Sequence, residues 1–566
     1  MKILLLVHSF NSLSQRLHVE LREAGHQLSV EFDINDAVTA EAVGLFQPEL
    51  IIAPFLKQPI PPSIWRETPC LIIHPGPPGD RGPSALDWAI LDNRVEWGVT
   101  VLQANEVMDG GPVWAFETFP MRTTTKGSLY RQEVTEAAVV ATCRAIEAIT
   151  TGHAKPTPQS QLPLTKTHRE QPLIRQQQRE INWQQDDQQG LLRKIRSADG
   201  SPGLLDTLFG RPYYLFDAHP EPSLKGRAGE IIARSGPAIC RATCDDKAIW
   251  IGRLKKHGDA SSFKLSATQL LADDLSAVPE VPHSLESQSG YPAIHYQQIE
   301  NVGLLHFSFY NGAMGTRQCQ QLQQALQQAK ERNTQAILLL GGPDYWSNGM
   351  DLNQIEAAPS PADASWENIQ AMDELALEII TTQHQLTISA LQGNAGAGGV
   401  FLARASDWLW ARRGVILNPH YKDMGNLYGS EYWSYLLPHY CGAEQAAAIT
   451  QSRLPMGVQE GQRIGLVDDA FESHRDLFIS RALRKAVALT RQPGFTTLIH
   501  EKQQRRTADE TKRPLASYRE EELEKMRMNF FGFDPSYHIA RYNFIHKIPK
   551  SRTPVTLATH RRVSPS

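Results

Sequence analysis

Apolar residues in the first part of the chain fall in short bounded runs: ILLLVHS (3–9), ELIIAPFL (49–56), CLIIH (70–74) and VTVLQ (99–103). Brief continuous runs between turn formers predict strands of a parallel sheet buried on both faces. Between them, SQRLHVELREAG (14–25) and SALDWAILD (84–92) carry apolar residues at helical spacing, and the first closes on a glycine stop. SLYRQEVTEAAVVATCRAIEAIT (128–150) predicts one long helix. The alternation predicts an α/β, doubly wound domain over residues 1–155.

Residues 156–203 are rich in Gln and Pro, with few large apolar side chains before INW at 181–183, and predict a linker on the surface. YYLFDA, GEIIARS, AICRAT and AIWIGRL then recur between turn residues, predicting a small β-barrel over 204–275. A second linker is expected at 276–290. GLLHFSF, AILLLGG and LTISALQG alternate with the helical stretches TRQCQQLQQALQQAKER and WENIQAMDELALEIITT, so 291–500 predicts a second α/β domain. The tail 501–566 is charged and helical, then aromatic (MNFFGFDPSYHIARYNF), which implies docking on a core.

With 566 residues the chain exceeds one ordinary core, and 41% apolar and 21% charged residues describe a globular protein. A formal net charge of −4 supplies no basic field for nucleic acid. Of the six cysteines only Cys240 and Cys244 are close, with no second pair or nearby histidine, so no metal site is expected and the usage fits a reducing compartment. The opening MKILLLVHSF is too short an apolar run for a signal peptide, and no run is long enough to span a membrane. A cytoplasmic protein with small-molecule partners is expected.

Candidate chemistry begins at LIIHPGPPGDRGPSALDWAIL (71–91), where His74 ends an apolar run and Pro75, Gly76, Pro77, Pro78 and Gly79 follow. Ligands of open parallel sheets sit beyond the carboxyl ends of strands. A Pro/Gly loop there has little entropy to lose and no side chains to block a ligand. Asp109 precedes two glycines after the strand WGVTVLQ and could orient or charge His74, which would polarise a carbonyl or shuttle a proton. A histidine capped by backbone and an aspartate opening a turn explain the same two residues.

HPGPPGDRGPSALDWAI and GVTVLQANEVMDGGPV resemble the HPSLLPxYRGxxP and GVTxxxxxxxxDxGxI segments of folate-dependent formyltransferases. LPLTKTHRE, INW and IRSADGSPG resemble that family's linker and the entry to its C-terminal barrel. The resemblance implies N10-formyltetrahydrofolate as donor, with His74 and Asp109 catalytic. Gln15 and Arg131 are weaker folate candidates, since each alone reads as solvated surface; Phe55 and Leu56 lie where the family's loop covers the pteridine. The family has Asn two residues before the histidine, and this chain has Ile72. Loss of an oxyanion donor commonly costs about 10²–10³ in rate, which favours an acceptor needing less help, such as a thiolate.

WSNGMDL (346–352) and LQGNAGAGGVFLA (391–403) each follow a strand and place bare backbone at a helix start. Their N–H groups could bind an oxyanion; close packing is the plain alternative. Paired in this order they resemble the FxxGxDL and GxxxGGG segments of the crotonase, or enoyl-CoA hydratase, family. The resemblance implies a ββα superhelix, a coenzyme A thioester held at Ser347, Asn348 and Gly398, and an oxyanion hole from the N–H groups of Asn348 and Gly398. The family's two catalytic glutamates fall on Phe401 and Tyr421, so hydration is not expected. In NPHYKDMGNLYGSEYW (418–433), Tyr432 and Trp433 read as core, while Tyr421 and the one glutamate, Glu431, are expected to handle protons.

A formyl-folate half and a dry acyl-CoA half share one intermediate, formyl-CoA, which alone among thioesters can lose its formyl proton and its thiolate together to give carbon monoxide. Water would divert it to formate. The domain order, with HPGPPGDRGPSALDWAI and NPHYKDMGNLYGSEYW, resembles a family of hydrogenase maturation factors over the whole chain. That implies CO synthesis for the [NiFe]-hydrogenase iron, with other maturation proteins as partners. The alternative is a formyltransferase acting on an amine, fused to a CoA-binding regulatory domain, or a scaffold with two degenerate ligand domains.

Overall fold

The computed structural model describes the chain except residues 154, 163–169, 283, 287–289, 472–473 and 563–566, so most of the LPLTKTHRE segment lies outside the described residues. The chain divides into two compact units, one built from Met1–Ser262, Ser266–Glu280 and the chain end from Pro549, the other from Phe263–Leu265 and Val281–Ile548.

The first unit opens with six strands: β1 (Lys2–Val7), β2 (Gln27–Phe32), β3 (Leu50–Phe55), β4 (Cys70–His74), β5 (Glu96–Gln103) and β6 (Val113–Pro120), ordered β2-β1-β3-β4-β5-β6. The first four run parallel, and their apolar runs are buried on both faces, as the pattern predicts. β5 and β6 run antiparallel, so the sheet is mixed rather than parallel throughout. Register pairs His74 with Thr100, which fixes the histidine at the carboxyl edge. The long helix predicted at 128–150 is interrupted: a π-helical turn, Tyr130–Val134, precedes the α-helix Thr135–Thr151.

Five further strands follow: β7 (Leu204–Leu208), β8 (Arg211–Glu221), β9 (Ile231–Ser235), β10 (Ala238–Ala242) and β11 (Ala248–Lys256). Their ladder runs β7-β8-β11-β10-β9, and no pairing of β7 with β9 closes it among the described residues. The segment 156–203, expected as a linker, contains the helix Gln188–Ser197, whose Leu191, Leu192 and Ile195 are fully buried among these strands. Trp183 belongs to the same core, with the Arg241 guanidinium 3.9 Å over its ring. The polar composition of that stretch hid an amphipathic helix with a narrow apolar stripe.

In the second unit, β12 (Ile294–Ile299), β13 (Val302–Phe307), β14 (Ala336–Leu340), β15 (Leu386–Leu391), β16 (Trp408–Arg412) and β17 (Asp469–Phe471) form one sheet in that order; β12–β13 is antiparallel and the other pairs parallel. A smaller sheet carries Tyr345–Ser347, Asn394–Gly396, Ile416–Asn418 and Met456–Gly457. Three helices, Phe495–Lys512, Leu515–Phe531 and Ser536–Ile545, complete the unit. Met526, Phe530 and Tyr537 are buried in its core, whereas Phe531, Phe533, Tyr542 and Phe544 of the aromatic stretch are exposed.

The last described residues return to the first unit. Thr553 Oγ1 accepts from the Phe32 amide at 2.8 Å, and His560 and Arg561 pair with the buried Glu31 on edge strand β2. An edge strand left open is a liability, and this segment covers it.

Candidate functional site

The carboxyl edge of the first sheet gathers one candidate site. His74 closes β4, and both its ring nitrogens meet carboxylates: Nε2 lies 2.8 Å from Asp80 Oδ2 and Nδ1 lies 3.5 Å from Asp109 Oδ2. All three side chains are nearly withdrawn from solvent. Asp109 adopts φ 52°, and its Oδ2 accepts from the Gly82 amide at 3.2 Å. Gln159 ties the two loops together, donating to the carbonyls of Asp109 (2.8 Å) and Gly111 (2.9 Å) and accepting from the Gly79 amide (3.1 Å). Thr100 donates to the Gly76 carbonyl and Trp97 to that of Pro75. The Pro/Gly loop is bare for a reason the sequence did not disclose. A Cβ on Gly76 would stand 2.3 Å from Asp80 Oδ2 and 2.6 Å from His74 Nε2, so glycine makes room for the second aspartate.

Gln15 lies in the helix Ser12–Glu23, where its amide donates to the Phe10 carbonyl at 3.0 Å. Arg131 lies in the π-helical turn. Asn11, which caps the first helix, donates to Tyr130 Oη at 3.2 Å, so the helix start near Gln15 and the turn carrying Arg131 are neighbours. Phe55 ends β3 beside the His8 ring, 5.9 Å between centroids. Leu56 and Ile72 pack against the cluster containing Leu4, Ile51 and Cys70.

The second candidate site forms where the segment after Ser347 meets the start of the helix Gly398–Arg404. Gly398 is bare because Glu431 stands against it: a Cβ there would lie 2.1 Å from Glu431 Oε1. Gly399 packs as closely on the Ser347 carbonyl. The expectation for Asn348 needs correction. Its backbone N–H donates to the Gly312 carbonyl at 2.7 Å and its side chain to the Asn311 carbonyl, so it is not a free oxyanion donor. Of the expected pair, only the Gly398 N–H lacks a partner among the described residues. Ser347 is fully buried, its hydroxyl against Met314 Sδ and the Gly349 amide; it backs the cradle rather than facing a ligand.

Tyr421 is buried, stacks on Phe401 (centroids 5.2 Å apart, 27° between planes) and lies against the bare Gly429. Its hydroxyl donates to Glu431 Oε2 and approaches the Ser430 carbonyl at 3.0 Å. The two positions that hold glutamates in hydratases thus form one aromatic wall, and Glu431 approaches from ten residues further along the Tyr421 segment. Burial, then the charge of Asp373, pushes the Glu431 carboxyl up to about 8. Burial pushes Asp373 up to about 7, and burial with the charge of Asp373 pushes Glu522 up to about 8. Burial and the charge of Glu431 hold Tyr421 well above its usual range.

Three raised carboxyls have a consequence for stability. Between the ordinary carboxyl range and about pH 8 the native state binds protons that the unfolded state releases, so stability falls as pH rises. The second unit therefore melts at lower temperature at pH 9 than at pH 6. Calorimetric scans across that range check it; a melting point that climbs throughout contradicts it.

Asp80, Asp373 and Glu522 were not singled out from the sequence. Helical spacing held a signal for Asp373, which falls on the apolar stripe of Ile369, Met372 and Ala376. Glu522 likewise shares a face with Leu515, Met526 and Phe530. Among the described residues no group of His, Cys, Asp and Glu could hold a metal, and no helix is long and apolar enough to cross a membrane.

Family models match three stretches: formyl transferase at residues 2–146, the formyl transferase C-terminal domain at 173–269, and enoyl-CoA hydratase/isomerase at 309–529. The chain is 54% identical over 562 residues to the hydrogenase maturation factor HoxX of Bradyrhizobium diazoefficiens, covering 99% of this chain and 97% of that one. It is 24% identical over 246 residues to the methionyl-tRNA formyltransferase of Halalkalibacterium halodurans, covering 42% of this chain and 76% of the other. The crystal structure of HypX from Aquifex aeolicus in complex with tetrahydrofolic acid superposes with a TM-score of 0.96 at 46% identity, covering the whole of both chains.

Proposed function

The chain belongs to the HoxX/HypX family of hydrogenase maturation factors, and from that premise we propose that it makes carbon monoxide in two steps. In the first unit, N10-formyltetrahydrofolate gives its formyl group to the thiol of coenzyme A. Tetrahydrofolic acid in the Aquifex aeolicus relative supports a folate donor, bound near Gln15, Phe55 and Arg131. His74, held by Asp109, assists proton movement as the thiol sulfur attacks the formyl carbon and the N10–C bond breaks. A thiolate acceptor fits a site with Ile72 where an amide donor stands in formyltransferases.

Formyl-CoA is then the substrate of the second unit. The Gly398 N–H faces the formyl oxygen. Glu431, as carboxylate, takes the formyl hydrogen as a proton, the C–S bond breaks with its electron pair on sulfur, and carbon monoxide leaves. The proton returns to the thiolate through the Tyr421–Glu431 pair, so CoA is regenerated and no water enters the balance. The observation that carries this reading is the buried Tyr421–Glu431 pair against Gly398, with aromatic rings where hydratases place water-activating carboxylates. Folate and CoA as substrates place the reaction in the cytoplasm, and the product suits hydrogenase assembly proteins as recipients.

Incubation of the protein with formyl-folate and CoA, with reduced haemoglobin as trap, is expected to give one carbonyl-haem spectrum equivalent per folate consumed. Omission of CoA is expected to stop both. Formyl-folate consumed without CoA and without CO would refute this reading.

A further inference from the structure

The segment that presents Glu431 turns through two successive left-handed residues, Glu431 (φ 60°) and Tyr432 (φ 59°). Such a backbone is strained for these side chains and persists only where its surroundings over-determine it. Successive N–H groups in unusual turns make anion-binding concavities. Here the anions belong to the chain itself. The Glu431 amide donates to Asp373 Oδ1 at 2.8 Å, the Tyr432 amide to Glu522 Oε2 at 2.9 Å and the Ser434 amide to Glu522 Oε1 at 2.8 Å. Asp373 comes from the helix Pro361–Ile380 and Glu522 from Leu515–Phe531, and both are withdrawn from solvent.

Ser430 links the two. Its hydroxyl lies 2.9 Å from Asp373 Oδ2 and 3.2 Å from Glu522 Oε2. A hydroxyl has one proton to donate, so it bonds both carboxyls only when one of them carries a proton and donates to it. We propose that Asp373 and Glu522 are positioning residues of the second site: they clamp the turn that holds Glu431 against Tyr421, and the proton they share sets the charge on Glu431. The proposal rests on the reading of Tyr421 and Glu431 as the reacting pair.

The groups that face Glu431 are Asp373 on the helix Pro361–Ile380, Cys319 on the helix Thr316–Lys330, Tyr421 and Ser430 on its own segment, and Glu522 on the helix Leu515–Phe531, while Glu374 and Arg519 act on Asp373 and Tyr432. Arg519 is committed to Glu374 at 2.6 Å and stands 3.7 Å from Asp373. The charges of Asp373 and Glu522 both favour a proton on Glu431. Removing either carboxylate lets Glu431 ionise at lower pH, and a step that needs the carboxylate then begins at lower pH.

The test compares wild type, Glu522→Gln and Asp373→Asn as full-length proteins. CO released from formyl-folate and CoA is followed from pH 6 to 9, infrared titration of the buried carboxyls runs in parallel, and formyl-folate consumption serves as control. In both variants the acid limb of CO release and the infrared midpoint should move down by about one pH unit. CO release should slow while formyl-folate consumption stays at the wild-type rate. A merely structural role would lower the melting point and leave the limb in place; an unmoved limb and midpoint in both variants overturn the proposal. If wild type makes no CO, the infrared titration still decides: a moved midpoint keeps the clamp while the decarbonylation reading falls. Should the buried variants fail to fold, Ser434→Ala removes one donor to Glu522, strengthens that carboxyl's hold on a proton and should move the limb the same way by a smaller step. An unmoved limb there overturns the proposal equally.

Discussion

His74→Ala protein consumes formyl-folate about 10²–10⁴ times more slowly than wild type and binds CoA as before, the span expected for loss of a positioned proton-transfer group. The imidazole sits between Asp80 and Asp109, so its loss removes a proton carrier and leaves two buried carboxylates facing each other. Repulsion between them adds a modest loss of stability in the first unit. The second candidate site is built from residues of the other compact unit, so CoA affinity has no reason to follow. Tetrahydrofolate release and calorimetric titration with CoA separate the two effects. A variant that still consumes formyl-folate at the normal rate removes His74 from the chemistry.

Tyr421→Glu redirects the product. Glutamate is smaller than tyrosine, so the space between Phe401 and Gly429 that the ring fills opens enough to admit water. A new carboxyl beside Glu431 shares one proton with it, because two adjacent buried carboxylates do not both ionise, and the ionised one makes the water a nucleophile. Formate then replaces CO as the main product, while folate turnover continues. Tyr421→Phe adds neither base nor room. It removes the hydrogen bond that steadies the Glu431 carboxylate, so CO release slows by about tenfold to a hundredfold without a rise in formate. Yields of CO and formate per folate consumed read both variants. If both give CO in the wild-type ratio, Tyr421 is packing and the dry-site mechanism fails at this residue.

The two variants differ in what the sequence could say about them. Tyr421 stood out because the flanking pattern placed it where a hydratase keeps a carboxylate, and Phe401 marked the other such position in the same way. Its chemistry depends on Glu431, ten residues on, and on φ values near +60° at 431 and 432 that no local pattern announces. Asn348 matched the motif equally well, yet its N–H is spent on Gly312, because the turn Tyr310–Gly312, from an earlier part of the chain, packs against it.

Local sequence was enough where the determining interaction is local. Continuous apolar runs specified the buried parallel strands. His74 at a strand end followed by a Pro/Gly loop specified the carboxyl edge of the sheet, and the two glycine-rich turns specified helix starts with bare backbone. The pairing direction of β5 and β6 was not legible, since an apolar strand reads alike in either direction. Nor was the helix Gln188–Ser197, whose stripe gains meaning only against the strands it covers. Asp80, Asp373 and Glu522 escaped for the same reason. A carboxylate on a helix or loop reads as solvated until the fold buries it, and only the tertiary structure puts Asp80 on the His74 ring and two carboxyls on the strained turn at Glu431. Burial and like-charge neighbours, which raise Asp373, Glu431 and Glu522 toward neutrality, arise from elements far apart in the chain, so that part of the chemistry exists only once the chain is folded.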